Sequence, residues 1–346
     1  MTWYDYGSID LIDDVSTATG KTISTLTLFN GKLFMGYGDY GANQPPNCHL
    51  LGWDIATGVV VDYGSLNTVA VLDMNVVNGQ LAVPYTDASV GSYPNAAFLD
   101  TSGNLSVVGN DLLAWHVYGS ASFGGKRYIS GAWADPNPPN NNAYGIWRDD
   151  GPGVGWMRWS GGNPTFEPNS YLGTQRSTTI LYRVHGLFVL GSTLYAGFGN
   201  GTILKTTTGA LGSWTTAAGG VGRMKRPVVI GSEAFYGNND PPFAGQLYKH
   251  TGTAQTQLVS VIYDHTLGTD GNLYYLDTSM NIKNLAGTTV ETAPANSRCI
   301  AYVNGVWYAG TTASHLWATT PMPSQNRVLA GSNVVKDSSG NQVIHT

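Results

Sequence analysis

Residues 26–36 read LTLFNGKLFMG, and this phrase decides the fold. Two stretches of β-favouring residues meet at Asn30-Gly31, a dipeptide that accepts the positive φ of a tight hairpin whose twist matches its strands. The phrase returns as MNVVNGQLAVP (74–84), VLGSTLYAG (189–197) and AYVNGVWYAG (301–310), and more loosely around Gly124-Gly125, Gly231-Ser232 and Asp270-Gly271. From Asn30 the seven turns follow one another at spacings of 48, 46, 67, 40, 39 and 34 residues. One four-stranded propeller blade takes roughly 40–50 residues. An all-β chain is therefore expected, folded as a seven-bladed β-propeller over residues 1–320.

Blades are expected over about 22–66, 67–112, 113–162 and 181–219, then through RPVVI (226–230) in the fifth, and over about 262–292 and 297–320. The seventh lacks a fourth strand of its own. Asp5-Tyr6-Gly7-Ser8 repeats Asp62-Tyr63-Gly64-Ser65 from the outer strand of blade 1. Residues 2–11 are thus expected to close blade 7 from the outside and hide its edge, the alternative being a chance match. Two segments stand outside the repeat. Residues 161–179 should form a long loop between blades 3 and 4. The tail 321–346 contains SNVVKDSSGNQVI (332–344), which reads as a hairpin about 337–340. A lone hairpin is marginal, so the tail is expected to serve attachment or oligomer contact.

Composition agrees with this reading. Of 346 residues 45 are Gly, and only 11% are charged, against the roughly 25% usual for soluble domains. Glu occurs only at Glu167, Glu233 and Glu291, the other acids being Asp, a turn residue, so little helix is expected. A net charge of −5 argues against a nucleic-acid partner. No run approaches the roughly 20 apolar residues of a membrane span, and MTWYDYGSIDLIDD does not read as a signal peptide, so folding in a cytoplasm is expected. Cys48 and Cys299 read either as separate buried thiols or as a pair joining the first and last blades.

The turns between first and second strands are minimal, whereas those between second and third strands are long: GDYGANQPPNC (38–48), TDASVGSYPNA (86–96), WADPNPPNNNAY (133–144) and NNDPPFAGQ (238–246). Function concentrates on loops held by a rigid scaffold, so this second set marks the expected binding face. Acids and amides recur there at Asp39, Asn43, Asp87, Asp135, Asn200, Asn239 and Asp240, beside Tyr40, Tyr93 and Trp133, with Tyr37, Tyr85 and Phe198 also expected at the rim. Oxygens that take sugar hydroxyls beside rings that stack on sugar C–H faces suit a glycan. Alternatively, each Asp or Asn caps its own loop by accepting backbone N–H bonds.

Catalysis is not expected. The three Glu are scattered, and Arg127, Arg148, Arg158, Arg176, Arg183, Arg223, Arg226, Arg298 and Arg327 do not recur at one blade position, as a carboxylate-holding cluster would require. No nucleophile motif, phosphate loop or metal-type His/Cys spacing occurs, so no cofactor or metal is expected. Calcium at clustered Asp lacks the usual loop pattern.

Low charge, enrichment in Tyr, Asn and Gly, a degenerate seven-fold repeat and a short C-terminal hairpin together resemble a bacteriophage tail β-propeller protein of the minor tail or receptor-binding type. The Trp-Asp dipeptide that ends each blade of WD40 proteins and the double glycines of kelch repeats are lacking. The resemblance implies a virion location at a tail tip or fibre, other tail proteins as partners, several copies per particle and contact with host surface polysaccharide, without membrane insertion. A non-viral carbohydrate-binding lectin is the alternative, and a glycan-cleaving enzyme a more distant one.

Overall fold

The computed structural model describes residues 1–8, 21–38, 48–66, 68–86, 96–108, 114–133, 143–149, 183–210, 213–219, 223–238, 243–321, 327–328, 335–336 and 342–343. Their regular structure is entirely β, and the chain is a seven-bladed β-propeller. Strand β1 (Tyr4–Ser8) comes first. Blade 1 is β2 (Thr22–Phe29), β3 (Lys32–Gly38), β4 (His49–Asp54) and β5 (Val60–Ser65). Blade 2 is β6 (Asn75–Val77), β7 (Gln80–Pro84), β8 (Ala96–Leu99) and β9 (Leu105–Val108). Blade 3 is described through β10 (Ala114–Phe123), β11 (Lys126–Trp133) and β12 (Ala143–Arg148). Its expected outer strand, GWMRWS (155–160), and the loop 161–179 lie outside the described residues.

Blade 4 is β13 (Val184–Leu190), β14 (Thr193–Phe198), β15 (Thr202–Thr206) and β16 (Thr215–Gly219); blade 5 is β17 (Lys225–Ile230), β18 (Glu233–Gly237), β19 (Gly245–His250) and β20 (Gln255–Ile262). Blade 6 is β21 (Asp264–Leu267), β22 (Leu273–Leu276), β23 (Asn281–Asn284) and β24 (Thr289–Thr292). Blade 7 combines β25 (Ser297–Val303), β26 (Val306–Thr311) and β27 (His315–Ala318) with β1 from the other end of the chain. Two compact units divide the chain, 1–72 with 241–244 and 262–346, and 73–240 with 245–261.

Within the first unit the closure expected from the repeated Asp-Tyr-Gly-Ser is present. β1 runs antiparallel to β27, with Tyr4 opposite Ala318 and Asp5 opposite Trp317. Tyr6 is 3% exposed, stacks on Trp53 at 4.9 Å between ring centroids, and donates from its hydroxyl to the Thr320 carbonyl at 2.8 Å. Cys48 and Cys299 are free thiols buried in the same core as Tyr6, and each donates to a backbone carbonyl, Cys48 to Val69 and Cys299 to Ile23. The tail hairpin is also present, Val335 pairing with Val343 and Lys336 with Gln342, but a third strand, β28 (Arg327–Val328), joins β29 (Val335–Lys336) and β30 (Gln342–Val343). Val334 lies outside the described residues.

The hairpins follow the dipeptides. Asn30 and Gly31 have φ of 46° and 74°, and a Cβ on Gly31 would meet nothing within 4 Å, so the glycine is there for its backbone and not for space. Asp270-Gly271 departs from the expectation: five residues, 268–272, join β21 to β22, with the Gly268 amide donating to the Asn272 carbonyl at 2.9 Å. Only Gly271 there takes positive φ, because the Asp270 carboxylate bonds the Asn272 amide and side chain and holds a wider turn.

Other outer turns are held in the same way. Asp100 accepts from the Asn104 side chain and from the Asn104 and Ser102 amides, and these bonds hold its carboxyl below the usual range. At Asp277 partial burial works the other way but is outweighed by Lys283, Asn281 and Ser279. A folded-state value below the unfolded one contributes stability above the unfolded value, which is lost as pH falls through the folded one. Melting temperature is therefore expected to fall between about pH 4 and about pH 2, below the free Asp value near 3.9, and less so in Asp100→Asn. A melt that stays flat over that range would refute the role of these turns.

Candidate functional site

Strand bounds give the loop lengths. Second-to-third-strand connections occupy 39–48, 85–95, 134–142 and 238–244 in blades 1, 2, 3 and 5, but only 199–201, 277–280 and 312–314 in blades 4, 6 and 7. Of the residues expected there, Asp39, Tyr40, Asn43, Asp87, Tyr93, Asp135, Asn239 and Asp240 lie outside the described residues. Trp133 ends β11 opposite Ala143, and its side chain is likewise outside them. Asn200 is exposed after β14, and its side-chain oxygen accepts from the Thr202 amide at 2.9 Å. Tyr37, Tyr85 and Phe198, expected at the rim, are instead 0%, 1% and 3% exposed. Their position near the end of the second strand directs the ring inward, where covering a large apolar side chain is favourable.

Within the second unit a different group of side chains converges. Arg183-Val184-His185 and Arg223-Met224-Lys225 occupy the same place in successive blades, at the start of innermost strands β13 and β17. This corrects the expectation that the arginines share no blade position. Small residues let these strands meet almost backbone to backbone. A Cβ on Gly119 would lie 2.9 Å from the Gly186 Cα, and one on Gly186 would lie 2.7 Å from the Met224 carbonyl oxygen. The flanking cations are drawn together as a result.

Tyr118 of β10 is the hub. Its hydroxyl accepts from Arg183 Nη1 at 2.7 Å, Lys225 Nζ lies 4.4 Å from its ring centroid, and its ring stacks with His185 at 4.6 Å and His116 at 5.6 Å. His116 Nδ1 is bonded to the Thr86 carbonyl. Lys225, His185 and Tyr118 are each 2% exposed, and Asp73, just ahead of β6, is 3% exposed. Burial pushes the Asp73 carboxyl up, opposed by the charges of Arg226 and Lys225. Burial likewise pushes Lys225 down, against Asp73 and with Arg223 and Arg183. Next to Lys225, Arg226 has φ of 48° immediately before Pro227, a left-handed conformation that a non-glycine residue holds only when its surroundings enforce it.

His185 is the unusual member. Both ring nitrogens are buried without a hydrogen-bond partner. Burial, then the positive charges of Lys225, Arg223 and Arg183, hold its pKa well below the usual value, so the ring is neutral. Among the described residues, no three His, Cys, Asp or Glu side chains gather as metal ligands. A concavity lies elsewhere, at the two-residue-turn end of blades 2 and 3, and there Arg127 donates to Asp149 at 2.9 Å and to Gln80 at 2.8 Å.

No protein-family model and no curated relative matches the chain. Among solved structures, the chain is similar to the WD40 domain of Neurospora crassa Pan2, with a TM-score of 0.57 and 9% identity over 92% of this chain and 96% of that one. A computationally designed protein, Ika8, also matches, with a TM-score of 0.45 and 10% identity over 86% and 96%. At such identity the Pan2 likeness speaks for the propeller fold alone.

Proposed function

We propose that the chain is a non-enzymatic binding propeller of a virion tail, which presents its long second-to-third-strand loops to host surface polysaccharide. One observation carries this reading: six of the seven first-to-second-strand turns are two residues long, while four connections at the opposite ends of their blades run to seven or more residues. A rigid scaffold that lengthens loops at one end of its blades is built to present them. Their sequences are rich in Asp, Asn and aromatic residues, which suit sugar hydroxyls and C–H faces. Several copies in one particle, attached to other tail proteins, would turn weak sites into firm adsorption.

A glycan array probed with the purified protein, at several copies per bead, tests this directly. Tyr93→Ala with Trp133→Ala is expected to weaken binding about tenfold or more, as removal of aromatic anchors does. The bound glycan should stay uncleaved on long incubation. Equal binding by the parent and the double variant would take these residues out of the site, and release of new reducing ends would show an enzyme.

A further inference from the structure

We propose that β20, the outer strand of blade 5, is the surface by which two copies of this chain pair, edge to edge and antiparallel about a two-fold axis. Its sequence, QTQLVSVI, is eight residues long and carries no charge. β20 is the last strand of its sheet, so alternate backbone N–H and C=O groups face away from β19, and among the described residues nothing bonds them. Thr256, Gln257, Leu258, Ser260 and Val261 are exposed, with Leu258 at 39% and Val261 at 45% on opposite faces of the strand. Proteins blunt such edges by shortness, charge, a bulge or cover. The other described outer strands show these devices. β9, β16 and β24 have four or five residues, and at β24 Glu291 also pairs with the Met1 amino group while the Thr292 carbonyl accepts from the Trp3 indole at 2.8 Å. β5 carries Asp62 and has β28 within 8 Å between Cα atoms, and β1 carries Asp5 and a shift of register before Ser8. Among these strands β20 alone is long, uncharged and uncovered.

Charge argues for a second copy as the occupant. Two chains of net charge −5 approach closely only where charge is absent or balanced; β20 has none, and beside it Lys249 of β19 pairs with Glu233 of β18 at 2.8 Å. A two-fold axis across the strand keeps each face of the joined sheet continuous. Leu258 of both copies then shares one face, and Val259 and Val261 of both share the other, with no like charges opposed. One strand per copy is a small contact, so the dimer is a weak one.

The test is analytical ultracentrifugation of the intact chain from about 1 µM to about 500 µM, with amide hydrogen exchange over 256–261 read by mass spectrometry at both ends of that range. The parent is expected to pass from monomer to dimer, and exchange of these amides to slow about fivefold at the high end. Leu258→Lys and Ser260→Lys each replace an exposed side chain and set like charges across the axis. Both should melt like the parent and dimerise at least about tenfold more weakly. The proposal is overturned if the parent stays monomeric, which would leave the edge to a strand of another protein, if it dimerises with exchange over 256–261 unchanged, or if either lysine variant dimerises as tightly as the parent. Pairing does not depend on what the loops bind, so an empty glycan array would leave this result untouched.

Discussion

A chain lacking residues 1–8 is expected to melt far below the intact protein and to aggregate on size-exclusion chromatography. Removing β1 takes Tyr6 out of a core that also holds Trp53 and Tyr308, and loss of one such aromatic alone costs about 3–5 kcal/mol. It also leaves β27 as an unpaired edge, a template for pairing with another chain. The ion pair of His315 with Asp5, each 36% exposed in its side chain, adds little by comparison. Tyr6→Ala separates the two effects, since it should lower stability without freeing the edge and so without aggregation. If the truncated chain melts at the parent temperature, blade 7 does not depend on the N-terminal strand.

The blades were legible because a hairpin needs a residue able to take positive φ, and few residues do so without strain. Asn30-Gly31, Asn78-Gly79 and Asn304-Gly305 therefore mark turns wherever they fall between hydrophobic stretches. The closing strand was legible for a related reason. Asp5 and Asp62 each accept from the amide of the glycine two residues on, at 2.8 and 2.7 Å, so the shared four-residue phrase encodes one local geometry in two blades. Asp270-Gly271 misled because the dipeptide does not fix turn length; a side chain that bonds the next amides can widen the turn.

The site was less legible. Tyr37, Tyr85 and Phe198 lie at or next to the end of a second strand and point inward, and a loop boundary read too early turns such a core side chain into a rim one. The cation cluster was missed because it depends on where blades 2 to 5 bring their innermost strands, which single-chain spacing does not express. A signal was present nonetheless. Arg-x-His at 183–185 and Arg-x-Lys at 223–225 stand 40 residues apart, the same spacing as the hairpin turns Gly191 and Gly231, in a chain with only 17 basic residues. Position within the repeat, and not proximity in sequence, makes them neighbours.

That arrangement gives Asp73 the second large effect. Asp73→Ala is expected to lower stability by about 3–5 kcal/mol in denaturant unfolding near neutral pH, because it removes a buried carboxylate that faces Lys225 and Arg226, and Lys225 must then either keep its charge without that carboxylate or give up its proton. Asp73→Asn keeps the volume and should lose nearly as much, which a packing role would not require. The pH dependence has a definite sign. Lys225 is already held below its unfolded value by burial, and Asp73 is what raises it, so in the variant it falls further. Between that lowered value and the unfolded one near 10.4, the unfolded chain binds the extra proton and stability climbs with pH. The climb should therefore begin at a lower pH in Asp73→Ala than in the parent. Parallel stability curves for the two proteins, offset or not, would mean that Asp73 and Lys225 do not share their charge.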